Sequence, residues 1–150
     1  MNLSEVLNTN PYEWRVTENK FDSWKAEFDV YEDNSRIILS SFIEDKESQT
    51  WQLAFIRYKL NSKSPEIKDS TGVWNDNDIN LTLKIFSTLK DMVSKYLETR
   101  KPVNFYFSSD GQSRTKLYNR FADQISNRFK YKMKKKNSEG ITIYEFSKKD

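Results

Sequence analysis

At 150 residues the chain has the length of one domain; only 36% of it is hydrophobic, but ten Phe, eight Tyr and four Trp promise a single aromatic-rich core over residues 1–150. The absence of Cys and His excludes disulfides, thiolate metal sites, cysteine nucleophiles and every Ser-His or Cys-His pair. The net charge of +3 is unevenly placed: residues 112–150 carry eleven cationic against four acidic side chains, a local charge of +7 that leaves −4 for the first 111 residues.

Residues 1–10 read as a frayed leader, and Asn10-Pro11-Tyr12-Glu13-Trp14 as a turn entering a first short strand whose start Pro11 limits. In Trp24–Val30 apolar and charged residues alternate strictly, the period of a strand with one packed and one wet face. Glu32–Ser35 is a turn, Arg36–Ile43 a strand dense enough in apolar residues for a central place, and Trp51–Tyr58 a further strand with Trp51, Leu53 and Phe55 on one face. These strands predict an antiparallel meander.

Residues 61–77 form a long polar loop that Trp74 could pin to the body. Asp78 then suits the N-cap of a helix running through Glu98, with Ile79, Leu83, Phe86, Val93 and Leu97 as its apolar stripe. Lys101-Pro102 stops it, Val103–Phe107 predicts a short interior strand, and a second amphipathic helix follows from about Ser113 to Phe129, with Leu117, Phe121 and Ile125 as its stripe and Tyr118, Ala122 and Phe129 beside it. Tyr131–Lys136 and Ile141–Phe146, split by Asn137-Ser138-Glu139-Gly140, read as a hairpin. The expected fold is α+β: a single mostly antiparallel sheet in the order β-β-β-α-β-α-β-β, with both helices packed on one face.

Several of these pieces together resemble a family of small uncharacterised proteins of tailed bacteriophages. They are Asn10–Trp14, the strand meander, the helix around Phe86-Ser87-Thr88-Leu89, Lys101–Ser108 and Ser113–Ala122. The resemblance covers most of the chain after residue 10 and rests on segments that determine the fold. It implies a viral origin and an α+β fold. The family carries no assigned activity, so no catalytic residue is carried over. The long polar loop and the basic hairpin depart from the family's pattern.

Two segments could bind a partner. Ser108–Arg114 joins a strand to a helix N-terminus, where free N–H groups, Ser109, Ser113 and Arg114 suit an anion; an ordinary N-cap and turn explain the same residues. The run from Arg128 to Lys136, with Lys116 and Arg120 on the preceding helix, interleaves cations and aromatics. Lys130, Lys132, Lys134, Lys135 and Lys136 could follow a phosphate backbone while Tyr131 stacks on a base. Equally, alternation would bury Tyr131, and lysines commonly guard an edge strand.

For chemistry there remain carboxylates, Lys, Tyr or oxygen-bound Mg²⁺. Glu44, Asp45 and Glu47, or Asp69, Asp76 and Asp78, could hold such an ion, although solvated turns account for both groups. The late strand-helix-strand-helix run has the order of acetyl-coenzyme-A acyltransferases, but Gly72, Gly111 and Gly140 do not cluster into the turn that cradles a pyrophosphate.

No apolar run approaches the roughly 20 residues of a membrane span, and the start lacks a signal-peptide pattern, so the expected location is the cytoplasm, the host's if the chain is phage-encoded. The expected function is non-enzymatic binding of a host or phage protein through the basic C-terminal surface, without a cofactor or membrane. Nucleic-acid binding by the same surface, a virion structural or accessory role and a Mg²⁺-dependent nuclease or phosphoesterase are the alternatives.

Overall fold

The computed structural model of the protein describes residues 10–60, 79–110 and 115–149. Strands β1 (Arg15–Lys20), β2 (Ser23–Val30), β3 (Ser35–Asp45) and β4 (Thr50–Lys59) precede helix α1 (Ile79–Arg100). Strand β5 (Asn104–Asp110), helix α2 (Thr115–Phe129) and the hairpin β6 (Tyr131–Ser138) and β7 (Ile141–Lys148) complete the order. The strands form one sheet in the order β1-β2-β3-β4-β5-β7-β6. Every neighbouring pair is antiparallel except β4 and β5, which run parallel.

The alternation read in the sequence decides which face packs. Trp24, Ala26, Phe28 and Val30 of β2 are buried, as are Ile37 and Leu39 of β3, Trp51, Leu53 and Phe55 of β4, Phe105 and Phe107 of β5, and Tyr144 and Phe146 of β7. Both helices cover this face. The Tyr96 ring of α1 lies 5.4 Å from Trp24 and 6.1 Å from Trp51, while Phe121 of α2 lies 6.4 Å from Phe55 and 5.9 Å from Phe107. Phe86 joins the helices, 6.0 Å from both Tyr118 and Phe121. Such edge-on contacts add to the burial of each ring, itself worth about 1.5–3 kcal/mol.

Helix α1 is buried over more of its circumference than a stripe would require, because the N-terminal segment crosses it. Tyr12 donates its backbone N–H to Thr88 Oγ1 (2.9 Å) and stacks on Phe28 at 5.5 Å. Thr88 and Ser94 in turn donate their hydroxyls to the carbonyls of Lys84 and Lys90, so these buried polar groups are paired within the helix. Ile79, expected on the buried stripe, is exposed at the start of α1. Leu83, Phe86, Val93 and Leu97 pack as expected.

Three boundaries differ from expectation. Four strands precede α1, one more than the expected order counts: the short strand read after Asn10–Trp14 is β1, an edge strand with little alternation, and β5 continues to Asp110 instead of ending near Phe107. The hairpin strands also run longer, leaving Glu139 and Gly140 as the turn. The proposed pin at Trp74, the cap at Asp78 and the loop over 61–77 lie outside the described residues.

Parallel pairing of β4 with β5 extends only from Thr50↔Asn104 to Gln52↔Tyr106. Beyond it the helix-facing side of the split is filled by Phe55, Phe107 and Phe121. Where a parallel pair separates, an open sheet offers a ligand crevice; here aromatic packing occupies its covered side.

Candidate functional site

Strand β6 is one edge of the sheet, hydrogen-bonded only to β7 among the described strands. Its alternation divides the lysine run over two faces. Tyr131 and Met133 lie on the helix-covered face, paired with Lys148 and Phe146, and Lys135 continues that row beyond the core. Lys132, Lys134 and Lys136 project from the opposite face, where successive side chains stand about 6.8 Å apart. All four of these lysines are exposed, and so is Lys130, which holds φ 60 in the turn from α2 to β6. Among the described residues Lys136 is ion-paired, its Nζ 2.9 Å from Glu145, which also faces Lys134 across the strands.

Tyr131 cannot offer a stacking face. It is 2% exposed, its hydroxyl donates to the Pro102 carbonyl at 2.6 Å, and its ring stands edge-on to Phe105 at 5.0 Å. Burial pushes its phenol up to about 12. The alternation that puts lysines outside puts this ring inside.

Ser109 is likewise removed from the anion-site reading. It is 4% exposed, on the core-facing side of β5 in line with Phe105 and Phe107, and hydrogen-bonds Tyr144. Ser113 and Arg114 lie outside the described residues, and Lys116 is placed within α2 but its side chain is not described. Of the set expected at the strand-to-helix junction, the described residues place only the Ser109 side chain, which faces the core. Of the turn carboxylates, Glu44 accepts the Tyr106 hydroxyl and Asp45 accepts the Glu47 N–H at 3.0 Å. Asp69, Asp76 and Asp78 lie outside the described residues, among which no group of three potential metal ligands occurs.

Arg120 is exposed on α2 and enters a constellation that the sequence reading missed. A cleft of about 450 Å³ between α1 and α2 is lined by Lys90, Arg120, Asp123, Gln124, Asn127 and Arg128, with Ile125 and Phe129 as apolar walls. Burial and then the nearby Arg128 charge hold the Lys90 ammonium below its usual pKa, against the pull of Asp91. The Arg128 guanidinium stands 5.5 Å from the centre of the Phe129 ring. Arg120, Gln124, Asn127 and Arg128 recur at helical spacing, a signal present in the sequence; Lys90 comes from another helix and no local pattern connects it to them.

A second cleft of about 370 Å³, which shares Phe129, is lined by Leu97, Glu98, Lys101, Tyr131 and Lys148. The helix ends, the two clefts and the β6 edge thus make one cationic flank. No family model, curated protein or solved structure matches the chain. No described helix is long and apolar enough to cross a membrane.

Proposed function

We propose that the chain is a phage-encoded, non-enzymatic binding protein that docks on the acidic surface of a host or phage protein through the flank formed by Lys130, Lys132, Lys134, Lys135 and Arg120. The observation that carries this reading is the exposed lysine row on an edge strand beside a basic helix. Such a row steers an anionic partner and accelerates its encounter. Burial of Tyr131 favours a protein over single-stranded nucleic acid, which is normally held by cations together with exposed aromatic platforms. The exposed large aromatics Phe21, Tyr31 and Phe42 stand on or beside β1–β3, away from the β6 flank.

Capture from infected-cell lysate tests the proposal. Tagged protein should retain one specific partner after nuclease treatment, and Lys130→Glu/Lys132→Glu/Lys135→Glu should release it. Loss of the partner on nuclease treatment would transfer the reading to nucleic acid. Retention by the triple variant would remove the flank from the interface.

A further inference from the structure

Both described helices cover one face of the sheet, and the alternation that turns Trp24, Leu39 and Phe55 towards them turns the intervening side chains to the other. No described helix lies on that second face. Its middle is mostly apolar: Ile38 of β3 pairs with Ile56 of β4, Ser40 with Ala54, and Phe42, 42% exposed, with Gln52. The Tyr106 ring of β5 stands on the same face, since its hydroxyl reaches across β4 to Glu44. We propose that two copies of the chain pack face to face through this side of their sheets, related by a two-fold axis along β4.

The arrangement of the side chains suits a second copy better than an unrelated protein. Strand β4 is the middle strand of the seven, with β3 and β5 as its neighbours. Phe42 and Tyr106 both register with Gln52, so they stand level on either side of β4, about 10 Å apart. A two-fold axis along β4 exchanges those sides. It lays Phe42 of each copy on Tyr106 of the other and sets Ala54 and Ile56 against their own counterparts, the self-complementarity that an isologous contact requires. Sheets packed in this way lie about 10 Å apart with their strands within about 30° of each other, so the match holds near the axis.

Area and charge fit the same occupant. Seven strands about 4.8 Å apart, most of them of about eight residues at about 3.4 Å each, present a face of roughly 800 Å², which is what a standard interface takes from each partner. The charges flanking the apolar middle are paired within the chain, Arg36 with Glu27 and Asp29 on one side and Lys136 with Glu145 on the other. They form the polar rim of such a contact and bring no lone charge into its centre. The β6 lysines belong to the outermost strand, about 14 Å from the axis, and Lys130 and Lys135 do not project from this face, so the dimer and the docking flank can fail separately.

Sedimentation of the whole chain tests the inference. The parent should run as a dimer at submillimolar concentration and dissociate on dilution. Ile38→Lys and Phe42→Lys, each folded by circular dichroism, should raise the dissociation constant by about tenfold or more. The Lys130→Glu/Lys132→Glu/Lys135→Glu variant should dimerise as the parent does. Because the chain lacks cysteine, Phe42→Cys and Tyr106→Cys supply unique thiols, and a short bismaleimide should link a mixture of the two variants faster than either alone. A monomeric parent would return the face to another partner and overturn the proposal. Folded Lys variants that dimerise normally, a monomeric triple variant, or linking no faster in the mixture than in the single variants would each overturn it as well.

Discussion

Arg57 shows what one buried charge demands of its neighbours. It is 3% exposed, donates Nε–H to the Ser35 hydroxyl at 3.1 Å and pairs with the Asp33 carboxylate, which Lys59 also approaches at 3.4 Å. Burial would raise the Asp33 pKa, but the Ser35 hydrogen bond and the Arg57 and Lys59 charges more than offset it, so the carboxyl titrates below its usual range. The stabilisation is therefore present above the unfolded-state value, about 3.9, and is lost as pH falls through the lower folded value. Asp33→Asn should cost about 2–3 kcal/mol at pH 7, less than the roughly 3–5 of a wholly enclosed pair because the Asp33 side chain retains 27% exposure. Urea unfolding at pH 7 and pH 3 checks both claims: the deficit should shrink at the lower pH, and an equal deficit at both would assign it to lost packing. Tyr131→Phe should cost about 1 kcal/mol, since the Pro102 carbonyl loses its buried donor, and should leave partner capture intact.

At the scale of elements, the closing hairpin is held by a turn whose two residues, Glu139 (φ 52) and Gly140 (φ 82), both occupy the left-handed region. That is the requirement of the two-residue turn that matches strand twist, and glutamate meets it at a steric cost that Asn largely avoids. Glu139→Asn should stabilise the protein by about 0.5–1 kcal/mol, and Gly140→Val should destabilise it although open space surrounds the position, because φ rather than room is limiting. Thermal unfolding of both variants measures this; a neutral Gly140→Val would contradict the assigned backbone. The hairpin was legible because strand alternation and Gly140 are local signals. Strand β1 was legible only as a short strand entered after Trp14, without bounds, since its side chains are mostly exposed and supply no period-2 pattern. A distant group ties its end down instead: Arg100 of α1 donates to Asn19 Oδ1 at 2.6 Å and to the carbonyls of Lys20, Phe21 and Ser23. The α1–α2 cleft was hidden for the same reason, as Lys90 and Arg128 meet only through packing of Phe86 on Tyr118 and Phe121.

Across the whole molecule, charge is arranged differently at the two sheet edges. On the β1–β3 side Arg15 and Arg36 engage Glu27 and Asp29 in a network, Arg36 Nε lying 2.7 Å from Asp29, which consumes charge of both signs locally. At β6 the cations outnumber their partners. Two roles fit such an edge, docking a partner and preventing strand-to-strand association, and they respond differently to the sign of the charge. Lys130, Lys132 and Lys135 are the informative positions because changing them leaves Lys134 and Lys136 facing Glu145. Replacing all three by Glu keeps the edge charged but reverses its field; replacing them by Gln weakens both properties. Docking predicts that both variants lose partner capture, the Glu form more completely, and that the parent's association rate falls steeply with added salt. Edge protection alone predicts that the Glu form captures normally and sediments as the parent does while the Gln form associates further. Normal capture by a monodisperse Glu variant would thus leave the lysines a solubility device and move the search for the partner to another face.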